Sequence, residues 1–181
     1  LRAYEAAYPL TGVGVATAGV VDAATGTISG DAMNIPHYRG TRLKAILSEA
    51  TGLPVAVEND VNCAALGEYW LGASSLAMLT LGAGVGGALL LDGRILHGAL
   101  GFAGEVGYLP LPGGTLEAQA STAALVRRVA AAKGLPEEAV DGEMIFAWAK
   151  AGDNIARAAI ENLIRALAAG IATVCCVANP E

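Results

Sequence analysis

The sequence predicts an α/β fold, because short apolar segments typical of buried strands alternate with segments of helical periodicity. Residues 12–17 and 53–57 are two of the strand-like segments, and a helix-like segment lies between them at 41–51. Of the 181 residues, 54% are hydrophobic and only 15% are charged, so the chain can bury a substantial core.

Local signals predict the other elements of the first part of the chain. Residues 18–30 contain a Thr-Gly turn between two short β-branched segments, which predicts a hairpin. Gly52 is a typical C-cap for the helix at 41–51. A second helix is predicted from about Val61 to Leu71, and its Trp70 is expected in the core.

The pattern changes near residues 72–76, which form the candidate domain boundary. Apolar segments at Leu76–Leu81 and Ala88–Leu91 flank a glycine-rich turn, and Asp92-Gly93 favours a second hairpin. Residues 97–120 are rich in glycine and proline and are predicted as loops. Three further helices are predicted near Ser121–Lys133, Gly142–Ala151 and Asn154–Val177.

Both ends of the sequence have the pattern of interrupted elements. Residues 1–8 are typical of the end of a helix, and residues 179–181 follow a helix where a strand usually begins. We therefore expect a piece of a longer protein, incomplete at both ends. Residues 1–74 then belong to one α/β domain and residues 75–181 to the start of a second.

Composition argues against several classes of protein. The formal net charge is -6 and the 11 basic residues are dispersed, which argues against a nucleic-acid surface in this segment. The apolar segment 163–178 is interrupted by Arg165 and predicts a buried helix instead of a membrane span, and no signal peptide is visible. The three cysteines, Cys63, Cys175 and Cys176, fit neither a disulfide framework nor a zinc pattern. A cytoplasmic location fits best.

Asp60 is the leading candidate for catalysis, because it lies between the predicted strand at 53–57 and a helix. Ligands of α/β proteins bind at this edge of a sheet. An ionised carboxylate there can take a proton from a hydroxyl group, and the neighbouring Asn59 could hydrogen-bond to other hydroxyl groups. An equally good interpretation of this motif alone is that Asp60 caps the helix.

The glycine-rich segment 82–87 lies between two predicted strands. Glycine lets a phosphate group approach backbone N–H groups closely. No Lys-Ser/Thr pair and no helix follow, so the segment is neither a P-loop nor a dinucleotide-binding fingerprint. A tight hairpin without a ligand is the commoner meaning of such a segment, and both interpretations stay open.

Glu105 and Glu117 place two carboxylates in the polar, glycine-rich part of the chain. Glutamates in exposed loops are usually just solvated, so each residue alone is a weak signal. His37 and His97 have no partner at a spacing typical of metal ligands. Both are interpreted as surface or loop residues, with His97 the better candidate to line a cleft.

Six segments in this order together resemble the ROK family, whose name covers repressors, open reading frames and kinases. Each segment alone is a weak signal, but the set spans nearly the whole chain. The segments are Thr-Ala-Gly-Val-Val-Asp at 17–22, Met-Asn-Ile-Pro at 33–36, Val-Glu-Asn-Asp-Val-Asn-Cys-Ala-Ala-Leu-Gly-Glu at 57–68, Leu-Gly-Ala-Gly-Val-Gly-Gly at 81–87, Gly-Phe-Ala-Gly-Glu-Val-Gly-Tyr at 101–108 and Leu-Glu-Ala-Gln-Ala-Ser at 116–121.

The resemblance implies an actin-like, ribonuclease-H-like fold of a smaller N-terminal and a larger C-terminal α/β domain, with a cleft between them. It implies phosphorylation of a hexose such as glucose, N-acetylmannosamine, fructose or a β-glucoside by ATP, with Mg²⁺ carried on the nucleotide, in a homo-dimer or tetramer. By resemblance, Asp60 is the general base, Asn34, Asn59, Glu105, Tyr108 and Glu117 face the sugar, and Gly82, Ala83, Gly84 and Gly86 face the ATP phosphates.

Two residues and one segment depart from the family pattern. Tyr108 stands where members commonly have a His that touches sugar and binds zinc, and the segment 109–116 lacks the cysteines of the usual zinc loop. Ala83 stands where a Thr hydroxyl is usual near the phosphates. Tyr108 and Ala83 therefore bear on sugar choice and rate, but not on the location of the site.

Two alternative functions stay open within the same family. A sugar-sensing transcriptional repressor would need a DNA-binding domain before residue 1, and loss of the zinc loop argues mildly against it. A catalytically inactive member would only bind sugar or a sister subunit. The family's first phosphate motif would precede residue 1 and its adenosine motif would follow residue 181, so we expect the chain as written to bind ATP poorly.

The missing cysteines at 109–116 predict a protein without structural zinc. Elemental analysis of the purified protein should find far less than one zinc ion per chain. Stoichiometric zinc that survives dialysis would contradict this prediction.

Overall fold

A computed structural model describes residues 9–30 and 35–181, and within these ranges the chain forms nine strands and six α-helices. The helix end predicted at residues 1–8 lies outside the described residues. The strands are distributed over four small sheets, and the predicted alternation of strands and helices is confirmed in the first part of the chain.

The first part of the chain is built on two parallel strands. Val21, Ile28, Val55 and Val57 form its buried core. Gly52 ends the helix in the left-handed conformation at φ 70°, which confirms the predicted C-cap. The elements are β1 (Val13–Thr17) parallel to β4 (Val55–Asn59), the hairpin of β2 (Val21–Asp22) and β3 (Thr27–Ile28), and α1 (Leu43–Thr51) against β4.

Helix α2 (Asp60–Trp70) connects this part to an antiparallel sheet of β5 (Leu76–Leu81), β6 (Val85–Leu91) and β7 (Arg94–Ile95). Its buried residues Val61 and Ala65 pack against the sheet. The helix ends at Trp70, just before residues 72–76, and packs on the sheet that follows them. The domain boundary at 72–76 stays a prediction.

Trp70 was expected in the core, and this expectation is wrong. The side chain is 84% exposed, and so is that of Leu71 at 83%. Trp70 lies nine residues after the buried Val61, and at about 100° per residue it falls on the opposite face of α2. The sheet covers only the face that carries Val61 and Ala65.

The glycine and proline content of residues 97–120 predicted loops, but part of this segment is regular structure. A turn of 3₁₀ helix at Val106–Tyr108 precedes a hairpin of β8 (Pro110–Leu111) and β9 (Gly114–Thr115), and α3 (Leu116–Ala120) follows. The ends of α3, Leu116 and Ala120, are almost fully buried. Tertiary burial therefore stabilises a helix that is too short to be predicted from its own sequence.

Three helices complete the described chain: α4 (Thr122–Lys133), α5 (Gly142–Lys150) and α6 (Asn154–Ala178). A side chain caps each start, Ser121 for α4, Asp141 for α5 and Asp153 for α6. The predicted helices are confirmed to within about two residues, the usual uncertainty of helix ends.

Helix α6 buries one face only, so the prediction of a buried helix is right for that face and wrong for the other. The buried side consists of small residues and one Val, whereas Ile155, Ile164 and Ile171 are exposed. By length and composition α6 could also cross a membrane, with a mean hydropathy of 1.6 over 18 residues, but a core helix meets the same criterion.

Gly87 of β6 lies where no side chain fits. A Cβ atom there would stand 2.4 Å from the carbonyl oxygen of Gly104 and 2.5 Å from Val106. We expect Gly87→Ala to lower the free energy of unfolding by roughly 1–3 kcal/mol, since backbone and a packed side chain must move. Urea-induced unfolding measures this change.

Gly67 of α2 is the matched control, because a Cβ atom there meets nothing within 4 Å. Gly67→Ala should raise the free energy of unfolding by roughly 0.5–1 kcal/mol, because alanine is the better helix former. Equal effects of the two substitutions would show that the close approach at Gly87 is unimportant.

Candidate functional site

The junction between β4 and α2 is fixed by the side chain of Asn59. Its Oδ1 accepts hydrogen bonds from the backbone N–H groups of Val61 at 2.8 Å and Asn62 at 3.2 Å. Its Nδ2 donates to the carbonyl oxygen of Gly19 at 3.2 Å. Asn59 is therefore the N-cap of α2, and it also holds the chain that follows β1.

Asp60 is the first residue of α2 and is exposed. The motif alone left this residue open between cap and base. Because Asn59 supplies the cap, the carboxylate of Asp60 makes a single hydrogen bond among residues 9–30 and 35–181, from the N–H of Val61 at 3.0 Å. A carboxylate can accept about four hydrogen bonds, so most of its acceptor capacity is available to a ligand.

Glu105 lies close enough to Asp60 and Glu117 for both of their charges to influence its pKa. Burial raises the pKa of Glu105, and the negative charges of Asp60 and Glu117 raise it further. The structure thus brings together three carboxylates that are far apart in sequence. Tyr108, at the end of the 3₁₀ turn after Glu105, is 71% exposed.

Glu117 touches the glycine-rich turn directly. It lies in the first turn of α3, and its Oε2 accepts a hydrogen bond from the backbone N–H of Val85 at 3.0 Å. A Cβ atom on Gly84 would stand 2.4 Å from this oxygen. A side chain at position 84 would therefore displace the carboxylate of Glu117 from its present position.

The turn itself is a hairpin between β5 and β6 that keeps free donors. Gly82 donates to the carbonyl of Gly84 at 3.0 Å and accepts from Thr122 at 2.9 Å. Within the described residues, the backbone N–H groups of Ala83 and Gly84 make no hydrogen bond. The hairpin is confirmed, whereas binding of a phosphate stays a prediction, for which the two amides are suited donors.

Gly82 and Gly86 differ in their surroundings. A Cβ atom on Gly86 would stand 2.6 Å from Oγ1 of Thr80 and 2.7 Å from Cγ2 of Val61, whereas one on Gly82 meets nothing within 4 Å. Gly86 is therefore required by packing against α2. Gly82 is the glycine of the turn with open space for a ligand.

Of the residues expected to face the sugar, Asn34 lies outside the described residues. Sequence reasoning missed Glu58, which accepts hydrogen bonds from Asn59 and Asn62 and contacts His97. Its position directly before the Asn-Asp pair is the signal that could have selected it. Within the described ranges, no cluster of three His, Cys, Asp or Glu residues could hold a metal ion.

The raised pKa of Glu105 predicts a pH-dependent stability. Below the ordinary value of 4.5, Glu105 is protonated in folded and unfolded chains alike. As pH rises past that value, the unfolded chain releases this proton first, so Glu105 lowers the stability of the fold. Glu105→Gln should therefore raise the unfolding temperature at pH 7.5 and leave it unchanged at pH 4.

Glu138→Gln is the control for this experiment, because Glu138 is exposed on the connection between α4 and α5. It should change the unfolding temperature equally little at both pH values. A stability gain of Glu105→Gln that is the same at pH 4 and pH 7.5 would contradict the electrostatic explanation.

The chain is similar to proteins of the ROK family both in sequence and in structure. The sequence model of the ROK family matches residues 2–181. The chain is 34% identical to a glucokinase of Halalkalibacterium halodurans and 38% identical to a beta-glucoside kinase of Listeria monocytogenes, over 95% and 91% of its length. It covers 59% and 58% of these two proteins. A xylose repressor of Caldicellulosiruptor bescii is 30% identical over 95% of the chain and 49% of its own length.

Solved structures share the fold. A protein of Listeria monocytogenes, provisionally described as an N-acetylmannosamine kinase, superposes with a TM-score of 0.88 at 33% identity, over 99% of this chain and 66% of that protein. A ROK glucokinase of Streptomyces griseus, solved with glucose and AMPPNP, gives 0.80 at 30% identity, over 97% and 65%. The predicted actin-like α/β fold is confirmed, and the chain belongs to the ROK family.

Proposed function

We propose that the protein phosphorylates a hexose or hexose derivative with ATP, and that Asp60 is the general base. One observation carries the proposal: Asn59 caps α2, so Asp60 keeps an exposed, largely unengaged carboxylate beside Glu105 and Glu117. As the cap, an aspartate would use its oxygens to accept hydrogen bonds from the helix N–H groups, and here Asn59 accepts them instead.

In the proposed reaction, a sugar hydroxyl attacks the γ-phosphorus of ATP. The new O–P bond forms as the bond from γ-phosphorus to the β,γ-bridging oxygen breaks, and ADP leaves. Asp60 accepts the proton of the hydroxyl. Positioning and neutralisation of charge supply most of the rate in phosphoryl transfer, so the residues around Asp60 matter mainly as holders of the two substrates.

On the sugar side, we propose that Glu105, Glu117 and Tyr108 contact hydroxyl groups, with Asn34 and Asn59. Carboxylates accept hydrogen bonds from hydroxyl groups, and such bonds would offset the burial and the neighbouring charges that raise the pKa of Glu105. The Oδ1 of Asn59 already accepts two hydrogen bonds and its Nδ2 donates one. Asn59 therefore offers the sugar its second amide hydrogen.

On the nucleotide side, we propose that the turn with Gly82, Ala83, Gly84 and Gly86 faces the phosphates. The free N–H groups of Ala83 and Gly84 and the open space at Gly82 fit an anion. The N–H of Val85 already donates to Glu117, so this third amide is not available to a phosphate. Mg²⁺ would arrive with the nucleotide, and Ala83 would supply no hydroxyl to the phosphates.

The names of the relatives support a hexose as the substrate class, namely glucose, N-acetylmannosamine or a β-glucoside. The chain spans about three fifths of the two kinases that it matches, so the activity of the whole protein is part of the proposal. We further propose a cytoplasmic homo-oligomer.

A sugar-sensing repressor is the second candidate, favoured by the similarity to the xylose repressor. A protein that only senses sugar needs the sugar-facing residues but no base. The available carboxylate of Asp60 and the free amides of the glycine turn favour the kinase. A repressor would bind a specific DNA fragment and release it with sugar, without forming ADP.

Asp60→Asn tests the base directly. In protein expressed from the complete gene, sugar-dependent ADP formation should fall by about 10²–10⁴-fold, because an amide cannot take the proton. The fold should persist with a change of less than about 1 kcal/mol in the free energy of unfolding, since Asn59 still caps the helix.

Asp92→Asn is the matched control for this loss. Asp92 lies in the hairpin turn between β6 and β7 at φ 51°, a conformation that asparagine also accepts. This variant should keep the parent rate. An Asp60→Asn protein with the parent rate would refute the role of Asp60.

A further inference from the structure

Glu58 is a mostly buried carboxylate that has no role in the proposed reaction. It lies at the end of β4, directly before Asn59, and its side chain is 16% exposed. One oxygen, Oε1, accepts hydrogen bonds from the backbone N–H of Asn59 at 2.8 Å and from Nδ2 of Asn62 at 2.9 Å. The other, Oε2, accepts one from Nε2 of His97 at 2.7 Å. All three donors come from segments that surround Asp60 or lead to Glu105.

The first two bonds fix the junction that carries Asp60. Asn59 is held at its backbone N–H by Glu58, while its own side chain caps α2. Asn62 is buried, with 8% exposure, so its side-chain amide would lose its acceptor if Glu58 were removed. Glu58 thus braces both sides of Asp60 along the chain.

The third bond connects this junction to the segment of Glu105. His97 follows β7, and its carbonyl oxygen accepts a hydrogen bond from the N–H of Ala103 at 3.1 Å. The loop closes tightly, since Gly98 has φ 69° and a Cβ atom there would stand 3.1 Å from Ala103. His97 therefore holds the loop before Glu105 with its backbone and Glu58 with its side chain.

We propose that Glu58 and His97 form a positioning pair that sets the distance between the base Asp60 and the sugar-binding Glu105. The inference rests on the proposed function and adds two residues to it. Both residues would act through the segments that they hold and not through contact with the substrates. The side chain of His97 is 37% exposed, so its loss leaves no buried cavity.

Variants of His97 test the pair in protein expressed from the complete gene. His97→Ala removes the donor, and kcat/KM for the sugar should fall by about 10- to 100-fold, because a small misplacement of catalytic groups has effects of this size. KM for ATP and the unfolding temperature should stay near the parent values. His97→Gln should recover most of the lost activity, because its side-chain nitrogen lies as many bonds from the backbone as Nε2 of histidine.

Glu58→Gln adds a test of coupling. Glutamine keeps one oxygen for Asn59 and Asn62 but weakens the bond to His97. If the two residues act through each other, His97→Ala should cost less activity in the Glu58→Gln background than in the parent protein.

Three results would overturn the positioning pair. The first is that His97→Ala leaves kcat/KM of an active parent protein unchanged. The second is that His97→Gln has no higher kcat/KM than His97→Ala. The third is that kcat/KM falls only as far as a lower unfolding temperature explains. A parent protein that forms no ADP with any hexose tested would instead remove the proposed function, and the inference with it. Activity of the parent alone separates the two cases.

Discussion

The side-chain cap that Asn59 places on α2 is the interaction on which the candidate site depends. A helix start leaves backbone N–H groups without acceptors, and Asn59 satisfies two of them. If Asp60 were the cap instead of Asn59, the helix would start one residue later, and the residues that follow would be turned by about 100° around the helix axis. The acidic residue would then serve the helix, and its carboxylate would no longer be available beside Glu105 and Glu117.

Backbone contacts between glycines bring the other two carboxylates to this helix start. Gly87 meets the carbonyl of Gly104, and Gly107 meets that of Val85, at distances that exclude any side chain. The segment of Glu105 can thereby lie directly against β6. Burial and, to a smaller extent, the neighbouring negative charges raise the pKa of Glu105, which makes its ionised form unfavourable, and a site selected for stability alone would avoid this.

Much of the fold could be predicted because its signals are local. Gly52 ends a helix and Asp92-Gly93 makes a hairpin through their own backbone preferences. Helix α3 could not be predicted, because its stability comes from burial of Leu116 and Ala120 against distant elements. The exposure of Trp70 was missed for the same reason, since only the neighbouring sheet decides which face of α2 is covered.

For the candidate site too, the residue types could be predicted from the sequence, but the contacts between distant residues could not. The order of motifs singled out Asp60, Glu105 and Glu117, and the structure brings Asp60 and Glu117 near Glu105, while their roles stay predictions. It could not say which member of the Asn59-Asp60 pair caps the helix, because both residue types cap well. Nor could it pair Glu58 with His97, which lie 39 residues apart and meet only when β7 returns toward the end of β4.

The contact between Glu117 and Gly84 has a consequence for protein engineering. A library that varies position 117 to change the accepted sugar would also alter the hairpin turn, because the carboxylate holds the N–H of Val85 and fills the space beside Gly84. Side chains shorter than glutamate would release that turn. Changes of substrate preference at this position are therefore best searched together with positions 83 to 85, as a single combinatorial unit.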